Sequence, residues 1–316
     1  MTKPGEKSAQ TRRSMSPTID MAVIPVAGHG TRLLPATKSQ PKEMLSVGRK
    51  PVVQYVVEEL AQSGIERMLF VTSRGKHSIE SHFDTDESLT QYLRTTGREE
   101  LLADLAFERK AIEYFYTRQR RQLGLGHAVL CAESLIRDQP FVVALGDSII
   151  GVHAQSDIVQ RMKELFVKEG VDAVVAFEEV PREEVFRYGI AQPKDGEAET
   201  FELADVVEKP SVQDAPSRLA VAARYVFSPR IFQMLHATPP GKGGEIQLTD
   251  AIRQLIQRGH RCLGVRLRPD EPRFDIGNFE SYFQTFVEFA LADREYGPAL
   301  RQYLLARLVK PSSPPE

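Results

Sequence analysis

Short apolar runs alternate with amphipathic stretches along most of this chain. The first run holds Val23, Ile24 and Val26 and has the length of a buried strand. A long polar loop follows, then apolar residues at helical spacing over 51–64 and a second apolar run at 67–72. Strand, loop, helix and strand in this order form a βαβ unit, which predicts a parallel sheet with a right-handed crossover.

The rest of the chain repeats this alternation. Further apolar runs predict strands at 112–117, 141–145, 173–177, 189–192, 201–209, 220–227 and 263–267. Helical spacing predicts helices at 128–135, 156–169, 251–256 and beyond residue 278, and an amphipathic helical insertion at 87–109 that is interrupted near Gly97. Thr249 or Asp250 is predicted to cap the helix at 251–256. The chain is therefore predicted to have an α/β fold.

The two ends of the chain differ from this pattern. Residues 1–20 are polar, contain two prolines and predict a disordered tail. Residues 309–316 are rich in proline and serine and predict a frayed C-terminus. We expect one domain between them, at 21–308.

Composition narrows the class of protein. Hydrophobic residues make up 41% of the chain and charged residues 27%, with a net charge of −2, as in an ordinary soluble globular protein. This balance predicts no nucleic-acid partner, and the absence of any apolar stretch of 18 residues predicts no membrane partner. The two cysteines, Cys131 and Cys262, are far apart and outside any Cys-x-x-Cys motif. Neither a disulfide framework nor a zinc site is expected, and a reducing cytoplasm is the predicted compartment.

The loop after the first strand carries the first candidate chemistry. Small residues in Ala27-Gly28-His29-Gly30-Thr31-Arg32 allow backbone N–H groups to approach an anion closely, and Lys42 follows in the same loop. A dinucleotide fingerprint would require a third glycine where Leu33 stands, and a helix that Pro35 and Pro41 prevent. No Walker A motif occurs in the chain. The pattern indicates an open phosphate-binding loop, with a simple glycine turn as the alternative.

Three later strand ends carry further candidates. Gly124-Leu125-Gly126 follows one predicted strand, Asp147 the next, and Glu208 with Lys209 a third. Ligands of open parallel sheets lie beyond the carboxyl ends of strands, so Asp147 is placed to hold a divalent cation. Each candidate has a structural alternative: a helix-entry turn for the glycines, an Asx-turn or helix cap for Asp147, and a surface ion pair for Glu208 and Lys209.

Taken together, five motifs resemble one family. They are Ala27-Gly28-His29-Gly30-Thr31-Arg32, Pro41-Lys42-Glu43-Met44-Leu45, Gly124-Leu125-Gly126-His127-Ala128, Val207-Glu208-Lys209-Pro210 and Glu245-Ile246-Gln247-Leu248-Thr249-Asp250. The set is similar to that of the bacterial UTP–glucose-1-phosphate uridylyltransferases, in the same order and over residues 21 to about 305. Each motif is weak alone, and the full set is highly specific.

The resemblance implies a Rossmann-like, doubly wound, mixed and mostly parallel sheet flanked by helices, in a single nucleotidyltransferase domain at 21–308. It implies the joining of UTP and α-D-glucose 1-phosphate into UDP-glucose with release of pyrophosphate, using Mg2+, in a homo-oligomer that is a dimer or a tetramer. The implied catalytic residues are Arg32, Lys42 and Lys209. The implied nucleotide-binding residues are Ala27, Gly28, Gly30, Thr31, Glu43, Gln119 and Gly124. The implied sugar-phosphate-binding residues are Gly189, Glu208, Lys209 and Arg224, and the implied metal-binding residues are Asp147 and Asp275.

Two positions depart from the family pattern, and two other functions stay open. Leu123 stands where the family usually has a lysine, which would move a basic contact to Arg120 or Arg121, and Gly146 stands where proline often precedes the metal-binding acid. A dTTP-preferring enzyme is one alternative, because uracil and thymine share the edge that Gln119 would contact. A non-catalytic nucleotide-sugar sensor is the other, although such a protein would be expected to lack the charged ligands that are present here.

Overall fold

A computed structural model of the chain describes residues 18–308 except 110, 195 and 197. Most of the predicted N-terminal tail (1–17) and the predicted frayed end (309–316) lie outside the described residues. The ordered chain begins before residue 21, because the Ile19 side chain is buried and an Asp20 carboxylate oxygen lies 2.5 Å from Arg67 Nη2. The last three residues assigned to the tail thus belong to the folded domain.

The strands and helices follow the predicted alternation closely. The strands in the described residues are β1 Met21–Pro25, β2 Ser46–Val47, β3 Lys50–Pro51, β4 Arg67–Thr72, β5 Glu113–Arg118, β6 Phe141–Ala144, β7 Ser148–Ile150, β8 Ala173–Glu179, β9 Gly189–Pro193, β10 Thr200–Glu208, β11 Leu219–Phe227, β12 Cys262–Arg266 and β13 Arg273–Asp275. The α-helices there are α1 Val52–Gln62, α2 His77–Phe83, α3 Glu87–Thr95, α4 Leu125–Leu130, α5 Glu133–Ile136, α6 Ile158–Glu169, α7 Arg230–Ala237, α8 Leu248–Gln257, α9 Phe279–Ala292 and α10 Gly297–Leu308.

Nine of these strands form one sheet in the order β5-β4-β1-β6-β11-β8-β12-β10-β9. Strands β5, β4, β1 and β6 are parallel, and so are β8 and β12, whereas β11 and β10 run antiparallel to their neighbours. Only these two strands are reversed, so the prediction of a mixed and mostly parallel sheet is confirmed.

The strand order changes direction beside β1. The chain moves outward from β1 to β4 and β5, and then returns to β6 on the other side of β1. In doubly wound sheets the carboxyl ends of the strands at such a switch point open a crevice. The loop that follows β1 and the turn that follows β6 therefore meet at one edge of the sheet.

Helices cover both faces of the sheet, which is why its strands read as continuous apolar runs. Neighbouring side chains of β1 point to opposite faces, with Val23 in one core and Ala22 and Ile24 in the other. A smaller core, which includes Ile149, Ile276 and Phe289, packs β7 and α9 together behind the switch point. This packing supports the edge of the sheet where the candidate site lies.

Two local predictions can be compared directly with the structure. The insertion is helical as expected, with α3 followed by short 3-10 helices at Glu99–Ala103 and Ala106–Arg109 and a break at Gly97. The predicted cap of α8 is wrong, because the helix begins at Leu248 and the residue before it, Gln247, makes no side-chain cap. None of the helices in the described part of the chain combines the length and apolarity needed to cross a bilayer.

Candidate nucleotide and sugar-phosphate site

A cleft of about 480 Å3 lies at the switch point between β1 and β6. Residues from six separate stretches of the chain line it, and ten of them are residues singled out from the sequence. These ten are Ala27, Gly28, Gly30, Thr31, Arg32, Lys42, Glu43, Gln119, Gly124 and Asp147. The volume falls within the range of pockets that hold small-molecule ligands.

The loop after β1 forms one wall of this cleft. Gly30 has a φ of 67°, and Thr37 Oγ1 donates a 2.8 Å hydrogen bond to its carbonyl, which folds the loop back on itself. A side chain at Gly28 would meet nothing within 4 Å, so the backbone there faces open space. The described loop contains only two short 3-10 turns, as the prolines predict. Arg32 projects from the first turn and is exposed.

Lys42 and Asp147 form an ion pair on the floor of the cleft. Burial alone would raise the pKa of the Asp147 carboxyl, but the Lys42 ammonium, together with a backbone hydrogen bond and the Arg273 charge, outweighs this effect and lowers it. Burial would likewise lower the pKa of Lys42, but the carboxylates around it, Asp147 foremost, together outweigh it and raise that pKa. Both groups are therefore charged at neutral pH.

A second carboxylate, Asp275 on β13, lies close to this ion pair, although it is not among the residues that line the cleft. Strand β13 pairs with β7 so that Asp275 lies opposite Ser148, and the backbone N–H of Ile276 donates to the Asp147 carbonyl at 3.0 Å. Burial and the neighbouring Asp147 charge raise the pKa of Asp275. Two carboxylates that repel each other beside a phosphate-sized cleft fit a divalent cation.

This pair of carboxylates does not form a complete metal cage. Within the described ranges no group of three or more His, Cys, Asp or Glu side chains is placed to hold a metal ion. Mg2+ is commonly held by one or two protein carboxylates together with substrate phosphates and water. Asp147 and Asp275 match that donor set.

Glu43 has a partner that was not foreseen from the sequence. Its carboxylate accepts a 2.8 Å hydrogen bond from Lys76 Nζ, and both side chains are buried. Burial raises the pKa of Glu43, and Lys76 acts in the opposite direction. Lys76 precedes α2 and is 33 residues away in the chain. No local pattern relates the two residues.

The far end of the cleft carries the candidate base-contacting residues. Gln119 Nε2 donates to the Gly124 carbonyl at 3.0 Å and lies 3.0 Å from His127 Nδ1. Gln122, which was not singled out, donates to the Ala27 carbonyl at 3.2 Å and joins this end to the loop after β1. Arg120 and Arg121, the two basic candidates near Leu123, are both exposed.

The two glycines of the second motif are required by the protein's own backbone. A Cβ at Gly124 or at Gly126 would lie 2.8 Å from the Ile246 carbonyl oxygen. Gly126 N–H donates to that oxygen at 2.8 Å, and Ile246 N–H donates to the Leu123 carbonyl at 2.7 Å. These glycines therefore allow the motif before α8 to pack closely, and Gly124 still lines the cleft. Leu123 contributes its carbonyl here, a role that any side chain permits.

The sugar-phosphate candidates form a second cluster outside the cleft lining. Gly189 pairs with Glu208 across β9 and β10, and a side chain at Gly189 would lie 2.9 Å from Thr249 Oγ1. Lys209 has a φ of 45°, so the strand has already turned there, and its Nζ lies 3.0 Å from a Glu208 carboxylate oxygen. This turn explains how side chains of consecutive residues meet.

Arg224 does not belong to this cluster, contrary to the prediction. Its guanidinium is fully buried and pairs with Glu59, which is also fully buried. An arginine enclosed in the protein with a carboxylate partner is not available to a sugar phosphate. The prediction failed because a lone arginine in a strand carries no local sign of the face toward which it points.

Arg273 was missed and links the two clusters. Its guanidinium pairs with Glu178, lies 3.6 Å from an Asp275 carboxylate oxygen and stacks 5.1 Å from the centre of the Tyr188 ring. The backbone carbonyl of Tyr188 also accepts a 2.9 Å hydrogen bond from the Lys209 backbone N–H. The alternation of β13 places residues 273 and 275 on one face, and this signal was present in the sequence.

Comparisons with known proteins show the family of the chain. Residues 21–290 match the family model of the nucleotidyl transferases. A UTP–glucose-1-phosphate uridylyltransferase from Bacillus subtilis (strain 168) is 40% identical over 289 residues, which are 92% of this chain and 97% of that protein. A UTP-bound UGPase from Acinetobacter baumannii superposes with a TM-score of 0.83 at 37% identity, covering 91% of this chain and 99% of that one. A UDP-glucose pyrophosphorylase in complex with UDP-glucose gives 0.78 at 39% identity, covering 87% and 100%.

Proposed function

This chain belongs to the nucleotidyl transferase family, and we propose that it transfers the uridylyl group of UTP to α-D-glucose 1-phosphate, giving UDP-glucose and pyrophosphate. The observation that carries the proposal is the charge cluster at the cleft, where the Lys42–Asp147 ion pair lies close to Asp275 and the exposed Arg32 lines the same cleft. A set of cations beside a carboxylate pair suits a triphosphate with its metal ion.

The chemistry is an in-line displacement at the α-phosphorus of UTP. An oxygen of the sugar phosphate forms the new bond to phosphorus, the bond to the β-phosphate breaks, and pyrophosphate leaves with the electron pair. A sugar phosphate is already an anion at neutral pH, so no general base is needed. The obstacle is repulsion between two anions, which positioned positive charge removes.

Each cluster of side chains has its own role in this displacement. Arg32 and Lys42 neutralise the triphosphate, and Lys209 holds the incoming sugar phosphate beside Glu208 and Gly189. Mg2+, when bound by Asp147 and Asp275, supplies further charge neutralisation and aligns the phosphates. The nucleotide lies along Ala27, Gly28, Gly30 and Thr31, with Glu43 nearby and its base toward Gln119 and Gly124.

Nucleotide preference tests this function most directly. With glucose 1-phosphate as acceptor, we expect pyrophosphate release to have the highest kcat/KM with UTP among UTP, dTTP, ATP, CTP and GTP. A higher kcat/KM with dTTP would establish the alternative enzyme, because the two pyrimidines present the same edge to Gln119. Binding of UDP-glucose without turnover of any nucleotide would establish a sensor instead.

A homo-oligomer is part of the proposal and rests on the outer face of α9. Phe283, Phe286 and Val287 stand at helical spacing on this face, and their exposed fractions are 60%, 41% and 44%. Clustered apolar side chains on a surface mark interaction sites. We place the contact between subunits there.

Sedimentation velocity checks this contact. The wild-type chain is expected to sediment as a dimer or tetramer, and Phe283→Glu as a smaller species, because a buried carboxylate would disfavour the contact. Leu135→Glu is the matched control, since Leu135 is 44% exposed on α5. A monomeric wild type, or equal sedimentation of both variants, would contradict the assignment.

The compartment is also a proposal. Cys131 and Cys262 are both free thiols in the structure. Free cysteines are typical of a reducing environment. We place the reaction in the cytoplasm on that basis, and we treat residues 21–308, together with the folded residues 18–20, as one nucleotidyltransferase domain.

A further inference from the structure

A fully buried ion pair lies directly behind the Asp147 turn. Arg224 of β11 donates to Glu59 of α1 through Nε at 3.0 Å and through Nη2 at 2.6 Å. Both side chains have no exposed surface. The pair therefore joins the middle of the sheet to the helix that follows the phosphate-binding loop.

Stability alone does not account for this pair. Removing two charges from water is costly, and apolar residues of similar size often replace buried pairs without loss of stability. The pair is thus expected to serve a further purpose. The other contacts of the Arg224 guanidinium indicate which one.

The Arg224 guanidinium also holds the backbone beside the candidate metal-binding acid. Its Nη2 donates to the carbonyl of Ser148 at 2.9 Å, and Ser148 directly follows Asp147. The carbonyl of Ala223, which precedes Arg224, accepts a 3.1 Å hydrogen bond from the Leu145 backbone N–H. One dipeptide of β11 therefore binds the Asp147 turn on both sides.

The local backbone of β11 is built to make these contacts. Its pairing with β8 shifts register between Val221 and Tyr225, and Ala223 within this bulge has a φ of 59°. A non-glycine residue in that conformation costs free energy and is retained where the surroundings demand it. A bulge redirects side chains. Here the bulge accompanies an arginine that points into the core.

The turn that carries Asp147 has little conformational freedom. A side chain at Gly146 would lie 2.5 Å from Val26 Cγ1 of the neighbouring loop, so the turn packs closely against the end of β1. The Asp147 carbonyl is held in addition by Ile276 N–H. Leu145 and Ser148, on either side of Gly146 and Asp147, are both bound to β11, so the backbone that carries the Asp147 side chain is held in place.

We propose that Arg224 and Glu59 are positioning residues, which hold the Ser148 carbonyl and thereby aim the Asp147 carboxylate into the cleft. Glu59 orients the guanidinium, and the guanidinium orients the turn. This inference rests on the proposed function for the part that concerns turnover. It assigns Arg224 a role at the metal-binding acid instead of at the sugar phosphate.

The test is the double variant Arg224→Met with Glu59→Met. It removes both charges and the bond to Ser148 together, so no unpaired charge stays buried. We expect a thermal midpoint near that of the wild type, a kcat lowered about 10- to 100-fold and little change in the KM values for UTP and glucose 1-phosphate. Mn2+ affinity of the protein without nucleotide, followed by electron paramagnetic resonance, is expected to fall by a similar factor.

Two further variants make the result decisive. Arg224→Lys keeps the charge but cannot bind Glu59 through two nitrogens and Ser148 together, and it is expected to lie between the wild type and the double variant. Leu255→Ala, a fully buried position on α8, is the control that lowers the thermal midpoint without changing kcat or Mn2+ affinity.

A double variant with wild-type kcat and Mn2+ affinity would overturn the proposal, whatever its thermal midpoint. If the wild type makes no UDP-glucose, the proposed function fails, and the Mn2+ comparison still decides the positioning role.

Discussion

Replacing Asp147 by asparagine is expected to lower turnover roughly 10²- to 10³-fold while the protein stays folded. Asparagine keeps the size of the side chain but removes the charge that pairs with Lys42 and lies close to Asp275. The loss should appear in kcat at saturating UTP, glucose 1-phosphate and Mg2+. Folding should persist because the Asp147 and Lys42 side chains are 18% and 17% exposed, so water can reach the unpaired ammonium.

The matched control for this variant is Asp172→Asn. Asp172 is also a carboxylate with basic side chains as partners, Arg230 and His260, and it is 13% exposed. It precedes β8 and so lies at the opposite edge of the sheet from the cleft. Its variant should retain kcat. Near-normal turnover of Asp147→Asn, with circular dichroism showing a folded protein, would remove Asp147 from the metal-binding role.

Replacing Arg32 by methionine is expected to reduce kcat by roughly 10²- to 10³-fold, because one preorganised donor to the triphosphate is lost. Arg32 is exposed in the cleft and makes no ion pair with a described residue closer than 4.0 Å. Its removal should therefore leave the thermal midpoint unchanged. Arg32→Lys should recover only part of the loss, since lysine lacks the planar fork that binds two phosphate oxygens.

Steady-state kinetics of both variants check this expectation, with Arg94→Met as the control. Arg94 is exposed on α3 and lies outside the lining of the cleft. A loss confined to the KM for glucose 1-phosphate would place Arg32 on the sugar-phosphate side. Wild-type kinetics in Arg32→Met would exclude the residue from both sides.

Much of the fold and half of the site follow from local patterns. The apolar runs that became β1, β4 and β6 are buried on both faces, so their sequence has little choice of structure. The glycine loop ends in prolines that prevent a helix, and Arg32 and Lys42 accordingly project from short turns. Asp147 was placed correctly at a strand end because that position depends only on the length of the preceding run.

The residues that were missed or wrongly assigned depend on partners distant in the chain. Glu59 and Arg224 are 165 residues apart, and no local sequence pattern near either residue indicates the other. Arg273 and Glu178 are 95 residues apart. The second glycine motif had a recognisable pattern, but its purpose, a close approach to Ile246, became apparent only with the strands in place.

The sequence by itself determined the α/β class and the strand ends at which the candidate residues lie, because these properties depend on local runs and spacings, and its motifs resemble those of the family to which the chain belongs. Only the tertiary structure decided which side chains share the floor of the cleft, which arginine is enclosed with a carboxylate, and how the Asp147 turn is held. The electrostatic interaction energy of a charge is largest where water is excluded, and exclusion of water depends on packing between distant segments. Arg32 and Arg224 are the same residue type in different surroundings for this reason: Arg32 lies open to the cleft, and Arg224 is enclosed in the core with Glu59.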